Sequence, residues 1–170
     1  MLVERKANIT DLGFINGCII SGARKGHYAF NAENPEIVTL MKKEMQAVVV
    51  RNELLDKRRA VASIFTLNNK RIGLLILSDA CLDGSGIEIY AMSVAKKHQN
   101  QGYGSQLIDN LLNYYVYQDI YARCSPTSQK MAQLLFSRGF RLDMINEDYK
   151  VLMREGMDSS DIAKPLYMKY

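Results

Sequence analysis

The sequence is poor in cysteine and proline and has no long hydrophobic run. Its 170 residues include three prolines and three widely spaced cysteines. An odd number of scattered cysteines favours neither a disulfide framework nor a zinc finger, so we interpret Cys18, Cys81 and Cys124 as buried thiols. The apolar run at residues 72–77 is about a third of the roughly 20 residues that a membrane-spanning helix needs. We therefore expect no membrane association.

The net charge is small and its residues are scattered. Twenty-two Lys and Arg against 18 Asp and Glu leave a net charge of +4, and 48% of the residues are hydrophobic. These values are typical of one globular domain, which we place at residues 1–154, followed by a tail of uncertain structure at residues 155–170. The only basic cluster is residues 57–59, so no nucleic-acid partner is expected. Charged residues at positions 4–6, where a signal peptide would be apolar, predict a cytoplasmic protein.

Hydrophobic periodicity predicts the element order β-α-α-β-β-β-α-β-α-β-β. Turn and capping residues mark the predicted boundaries: Thr10-Asp11, Asn34-Pro35, Asn68-Asn69, Ser125-Pro126 and Gly139. The second helix is expected to end between residues 50 and 55, and its apolar positions predict one buried face: Ile37, Leu40, Met41, Met45 and Val48. This order implies an α/β (α+β) fold with a mixed sheet of about six or seven strands flanked by about four helices.

The strongest chemical signal lies where the fourth strand, ending near Val94, joins the following helix. Gly102 and Gly104 allow a tight turn and close approach of a ligand, and the first amides of the helix have no partner within it. Together with the helix dipole, these amides favour a phosphate or pyrophosphate. A P-loop is excluded because no lysine follows Gly104, and a Rossmann turn is excluded because Leu107 occupies the place of its third small residue.

Two segments resemble one known family. The pattern Gln99-x-x-Gly102-x-Gly104, five residues after Val94, resembles the acyl-CoA-binding motif of the GNAT superfamily of N-acetyltransferases. Residues 135–140, ending in Gly-Phe, resemble the later helix-to-strand signature of that family. The resemblance implies a splayed central sheet of the acyl-CoA N-acyltransferase type, with acetyl-CoA as co-substrate. No metal is expected, because no His, Cys or carboxylate lies at ligand spacing from His98.

The resemblance also implies a set of cofactor contacts. Backbone groups of Met92, Ser93 and Val94 would pair with the pantetheine arm as an added strand. Ser128 would lie near that arm, and Phe136 would pack against the cofactor unless it is a core aromatic. The pyrophosphate would be held by the amides of one continuous segment: Gln99, Asn100, Gln101, Gly102, Tyr103, Gly104 and Ser105.

Acetyl transfer to an amine requires a proton acceptor, because an amine with a pKa near ~10 is mostly protonated at neutral pH. Glu88 is the candidate, at the strand position from which one branch of the family presents a glutamate base. Strand alternation predicts one shared face for Glu88, Tyr90, Met92 and Val94. The alternative for Glu88 is an ordinary solvated acid. A strand N–H near Val94 would stabilise the oxyanion.

The usual general acid of the family is absent, since Leu135 occupies the position where a tyrosine is common. Tyr90 or Tyr121 are unproven substitutes. None of the three cysteines lies on the motif, so the expected reaction is direct transfer in a ternary complex.

The acceptor is the least determined part of the prediction. The loop at residues 25–31 contains His27, Tyr28 and Phe30, which fit an amine pocket and a self-packed surface loop equally well. We expect a small-molecule primary amine, with a protein or peptide amine as the alternative and a homodimer left open. A non-catalytic acyl-CoA sensor is the alternative from another class.

Overall fold

The computed structural model describes residues 1–80, 85–145, 147 and 149–157. Cys81 and most of the predicted tail, residues 158–170, lie outside the described residues. The elements are β1 (Leu2–Lys6), α1 (Leu12–Ala23), α2 (Pro35–Arg51), β2 (Ala60–Leu67), β3 (Lys70–Asp79), β4 (Ile87–Val94), α3 (Tyr103–Tyr114), β5 (Ile120–Cys124), α4 (Gln129–Phe136), β6 (Arg141–Ile145) and β7 (Lys150–Arg154). Their order confirms the prediction. None of the helices described is both long and apolar enough to cross a membrane.

The strands form one seven-stranded sheet in the order β1-β2-β3-β4-β5-β7-β6. Of the strand pairs that the described residues form, only β4 and β5 run parallel, and the other neighbours are antiparallel. The β2–β3 hairpin turns at Asn68 and Asn69, whose φ values of 49° and 60° are those that asparagine tolerates well. The mixed sheet with four flanking α-helices confirms the predicted fold class.

Strand β4 has an irregular register on one side and a short ladder on the other. Opposite β3, Leu77 pairs with Ile89 and Ile76 with Ala91, so Tyr90 is an extra residue in a β-bulge. Opposite β5, the ladder has three pairs and ends at Ile89. Among the described residues, the second half of β4 therefore has no neighbouring strand on the β5 side.

Each face of the sheet has its own hydrophobic core. Helices α3 and α4 cover one core, which includes Leu107, Leu111 and Leu135. Helices α1 and α2 cover the other, which includes Ile15 and Met45. The sheet thus has the two-sided burial that a helix-sheet-helix layer structure requires.

The helix starts differ from the predictions at two places. Asn8, rather than Thr10 or Asp11, caps the first helical segment, because its side chain accepts from the Thr10 N–H at 2.9 Å and a 3-10 turn at Ile9–Asp11 precedes α1. Helix α4 begins at Gln129 and not at Pro126, since the Ser128 N–H donates to the Ser125 carbonyl in a separate turn.

Helix α2 confirms its predicted start and end but not its whole buried face. Asn34 caps the helix through the N–H of Glu36, and the chain leaves the helix at Asn52 with φ 56°. Met45 and Val48 are buried, whereas Ile37 and Leu40 are exposed. The prediction was wrong there because burial begins in the second half of the helix, so periodicity extended the apolar face too far.

The two described cysteines have different surroundings. Cys124 is buried as predicted, and burial raises its pKa to about 11. Cys18 is only half-buried, which corrects the prediction for that residue. Its pKa is also raised by burial, against an opposing hydrogen bond with Ser93.

Asp11 joins the first helix to the sheet through ion pairs. Its fully buried carboxylate contacts Arg5 of β1 at 2.7 Å and Arg71 of β3 at 2.6 Å, and accepts from the Asn8 N–H at 2.9 Å. The hydrogen bond from Arg5 is the main reason that the pKa of Asp11 lies far below its ordinary value. Removing this charge would leave two guanidinium groups without their shared partner.

We expect Asp11→Asn to lower the free energy of unfolding at pH 7 by about 3 kcal/mol, measured by urea denaturation. Because the pKa of Asp11 is lowered, the difference from wild type is complete at neutral pH and shrinks as the pH falls below about 3.9. Glu33→Gln, which breaks the exposed pair with Arg24, is the control and should change stability by less than about 1 kcal/mol. Equal losses in both variants would contradict this account of Asp11.

Candidate acyl-CoA and acceptor site

The unpaired half of β4 presents backbone groups to the gap between β4 and β5. The Ala95 N–H donates to the Ile72 carbonyl at 2.7 Å, a bond that flanks the pair formed by Gly73 and Val94. By the alternation of an antiparallel ladder, Val94 and Met92 then direct their N–H and C=O groups away from β3. Ser93 directs its backbone groups toward β3, so of the three predicted strand residues only Met92 and Val94 face the gap.

Side chains already occupy the two carbonyls on this edge. The Tyr28 hydroxyl donates to the Met92 carbonyl at 2.9 Å, and the Gln99 side-chain amide donates to the Val94 carbonyl at 2.8 Å. Burial of Tyr28 raises its pKa, which keeps the hydroxyl protonated as a donor. The N–H groups of Met92 and Val94 are the donors that this edge offers to a ligand.

The segment before α3 is shaped by its own side chains. Besides the bond of Gln99 to β4, the Gln101 side chain donates to the Lys97 carbonyl at 3.1 Å, and Asn100 has a φ of 60°. The Gln99 N–H donates to the Lys96 carbonyl at 3.3 Å. The Gln99 amide, one of the predicted pyrophosphate donors, is therefore engaged within the loop.

The N-terminus of α3 provides the expected free amides. The first helical hydrogen bond runs from the Gln106 N–H to the Gly102 carbonyl at 3.1 Å, so Tyr103, Gly104 and Ser105 precede it. Gly102 has a φ of 82°, and a Cβ built on it would meet nothing within 4 Å. A Cβ on Gly104 would lie 3.8 Å from a Leu134 methyl and therefore point into the protein. Open space thus lies in front of Gly102.

The loop between α1 and α2 bridges the gap in the sheet. Its Tyr28 reaches β4, while Gly26 and His27 accept from Thr127 and Ser128, which follow β5. The Ser128 hydroxyl donates to the His27 carbonyl at 3.3 Å, so the side chain predicted to touch the coenzyme arm also holds this loop.

Phe136 lies on the outside of α4. Its side chain is 47% exposed, whereas neighbouring Leu135 is fully buried. The core-aromatic alternative for Phe136 is therefore excluded. Leu135 has no proton donor, and its side chain is buried in the α3/α4 core.

Glu88 is buried between two arginines. Its Oε2 accepts from Arg58 at 2.7 Å, and its Oε1 contacts the Arg123 Nε at 3.0 Å. The carboxylate side chain is only 5% exposed. This burial excludes the alternative of an ordinary solvated acid at the end of a strand.

The predicted alternation along β4 is wrong because of the bulge at Tyr90. Ile89 packs in the α3/α4 core and Ala91 in the α1/α2 core, and Met92 then packs against the α3/α4 core. Two successive side chains, Tyr90 and Ala91, therefore pack with the α1/α2 core. Met92 does not share a face with Tyr90, and the four predicted residues do not form one row.

The Tyr90 hydroxyl donates to Glu44 of α2. This contact places a half-buried carboxylate over the middle of β4, on the α1/α2 side. Burial, followed by the neighbouring Glu44, raises the pKa of Tyr90. Tyr90 therefore stays protonated, with its proton directed at Glu44.

The sequence profile of the acetyltransferase (GNAT) family matches residues 28–140. The chain belongs to this family. Membership confirms the expected enzyme class, an acetyl-CoA-dependent acetyltransferase. No curated protein matches the sequence significantly.

Solved GNAT structures share the fold. The spermidine N-acetyltransferase from Vibrio cholerae in complex with CoA and spermine has a TM-score of 0.66 at 18% identity, over 89% of this chain and 92% of that chain. The PaiA N-acetyltransferase from Thermoplasma acidophilum in complex with coenzyme A has a TM-score of 0.69 at 10% identity, over 91% and 99%. The aminoglycoside acetyltransferase AAC(6')-Ib, also with coenzyme A, has a TM-score of 0.67 at 13% identity, over 91% and 95%.

The geometry of this GNAT chain fits acetyl-CoA. An extended arm can lie along the unpaired edge of β4, where the N–H groups of Met92 and Val94 face the gap. The three amides at residues 103–105 and the open space at Gly102 suit a diphosphate. Lys96 and Lys97 carry positive charge in the 3-10 turn that precedes this loop.

Sequence reasoning missed several residues of this site. Arg58 and Arg123 were not connected with Glu88, since they come from other segments of the chain and meet it only in the fold. Glu44 lies in helix α2, where the sequence pattern indicates only the spacing of apolar residues and gives no signal for a functional carboxylate. The basic run at residues 57–59 is the one sequence signal for this group, and by itself it indicates only a cluster of positive charge.

We expect Gly102→Asn to weaken CoA binding by tenfold or more, about 1.4 kcal/mol or above, measured by calorimetry. Asparagine accepts a positive φ but would place a side chain where the diphosphate is expected. Gly104→Ala is the matched control, because its Cβ makes only ordinary contacts with Leu134 and Met92. It should keep the affinity for CoA. Similar losses in both variants, or none in Gly102→Asn, would argue against a diphosphate at this turn.

Proposed function

We propose that this GNAT enzyme transfers an acetyl group from acetyl-CoA to a primary amine by direct attack in a ternary complex. The observation that carries the proposal is the continuity of two donor sets: the free N–H groups on the β4 edge and the amides that open α3. One ligand with an amide-containing arm and a diphosphate matches both sets. The Met92 and Val94 amides would hold the arm, and the amides of residues 103–105 would hold the diphosphate.

When bound, acetyl-CoA supplies an activated thioester. The chain supplies a backbone N–H on the β4 edge, at Met92 or Val94, that donates to the carbonyl oxygen as negative charge develops there. Such a fixed donor lowers the barrier by about 3 kcal/mol in comparable sites. It needs no side chain.

Glu88 is the proposed proton acceptor. Oε2 accepts from both arginines, at 2.7 Å from Arg58 and 3.5 Å from Arg123, whereas Oε1 contacts Arg123 alone and retains a lone pair. Oε1 can therefore accept a proton from the amine through a bridging water. Arg58 and Arg123 hold the carboxylate in place. No side chain is assigned as the acid for the departing thiol, because the free thiol pKa of about 8.5 makes a thiolate an acceptable leaving group.

The proposal has two alternatives. The buried Leu135, in place of the usual acid, favours a non-catalytic acyl-CoA sensor. A protein or peptide amine remains the alternative acceptor.

A panel of primary amines with acetyl-CoA tests the proposed activity. We expect release of free thiol above the hydrolysis background for at least one amine, together with CoA binding in calorimetry. Tight CoA binding without turnover on any amine or peptide would support the sensor. Absence of CoA binding would exclude both.

Glu88→Gln tests the proposed base. We expect kcat to fall by about 100-fold or more with unchanged affinity for CoA, because the amide cannot take the proton. The matched control is Arg123→Gln, which removes one of the two arginines that contact Glu88 but keeps the carboxylate. An equal fall of kcat in the control would show that the ion pair, and not proton transfer, is what matters.

A further inference from the structure

Glu44 and Tyr90 meet at the point where the sheet opens. Tyr90 is the bulged residue of β4, and it follows Ile89, the last residue paired with β5. Its hydroxyl donates to Glu44 of α2. The pair therefore lies on the α1/α2 side of the gap. The unpaired edge of β4 begins directly after Tyr90 in the chain.

Glu44 differs from the neighbouring carboxylates in having no cation. Glu88 contacts Arg58 and Arg123, and Asp56 contacts Arg58 at 2.9 Å. No ion pair joins Glu44 to a Lys or Arg within the described part of the chain. The side chain is half-buried, so it keeps some access to solvent. A half-buried carboxylate without a counter-ion favours a cation from solution.

The charges around the Tyr90 hydroxyl add to this preference. Glu44 and Glu88 both raise the pKa of Tyr90, and Arg58 opposes them, so these three charged groups lie close to the phenol. Glu88 and Asp56 together balance Arg58 and Arg123 in one group of ion pairs, so the negative charge left beside the phenol is that of Glu44. This negative charge attracts an approaching ammonium group and repels a carboxylate.

We propose that Glu44 and the Tyr90 hydroxyl bind an ammonium group of the acceptor, and that the acceptor is a diamine or polyamine. The inference rests on the proposed amine acetylation. An ammonium has three N–H donors, enough to reach the carboxylate of Glu44 and the phenol oxygen of Tyr90. The length of the tyrosine side chain separates this subsite from the β4 edge, where the thioester would lie. The bound ammonium is therefore not the attacking nitrogen, and a second amine of the same molecule attacks.

The test compares diamines with amino alcohols of the same length, for example 1,4-diaminobutane with 4-amino-1-butanol. Both present one attacking amine, but only the diamine offers a second ammonium to Glu44. We expect wild type to prefer the diamine by about 10- to 100-fold in kcat/KM, as loss of a charge-assisted hydrogen bond implies. Glu44→Gln should abolish this preference by raising KM for the diamine, with unchanged affinity for CoA.

Two further variants serve as comparisons. Glu36→Gln removes an exposed carboxylate from the first turn of the same helix and should keep the preference. Tyr90→Phe keeps the charge of Glu44 and should therefore lose only part of the preference for the diamine. Equal use of diamine and amino alcohol by wild type, or an unchanged preference in Glu44→Gln, would overturn the proposal.

Direct binding separates this inference from the proposed activity. Saturation-transfer NMR with 1,4-diaminobutane and CoA-saturated protein should show binding by wild type that is lost in Glu44→Gln and retained in Glu36→Gln. If no amine is acetylated but this pattern holds, the proposed activity fails and the ammonium subsite stands. If amines are acetylated but Glu44→Gln binds and reacts as wild type does, only the subsite is wrong.

Discussion

The early end of the ladder between β4 and β5 is the constraint on which the site depends. Two parallel strands that stayed paired would satisfy each other's backbone groups and leave nothing for a ligand. Here pairing stops at Ile89, and the N–H groups of Met92 and Val94 face a gap. The bulge at Tyr90 occurs at the same place and changes which side chains point to each face. The bulge therefore occurs where the backbone N–H groups of β4 become available to a ligand and where its side chains change faces.

The gap is kept open and bordered by contacts from distant segments. The loop after α1 bonds to β4 through Tyr28 and to the turn before α4 through His27 and Ser128. On the α3 side, the Gln99 side-chain amide donates to the Val94 carbonyl at the end of β4. These contacts use carbonyl groups of the strand edge and the loops, and they leave the strand N–H groups available. A preformed set of donors reduces the ordering that a ligand would otherwise require.

The charged groups on the α1/α2 side divide into two kinds. Glu88 is held by two arginines, which fix its position at the cost of burying its charge with that of Arg58, while Arg123 stays half exposed. Glu44 has only a neutral hydroxyl as its described partner. The first arrangement suits a group whose orientation matters, and the second suits a group that exchanges a partner with solution. A single carboxylate on this face would not combine the two properties.

The sequence alone determined the element order, the α2 cap at Asn34, the asparagine turn of the hairpin and the glycine turn before α3. Each of these is decided by residues close in the chain, through capping, φ preference or periodicity. Only the tertiary structure decided which groups surround Glu88, that Ser93 turns its backbone to β3, and that Glu44 meets Tyr90. Those outcomes depend on a bulge and on ion pairs between remote segments, and local patterns contain no information about either.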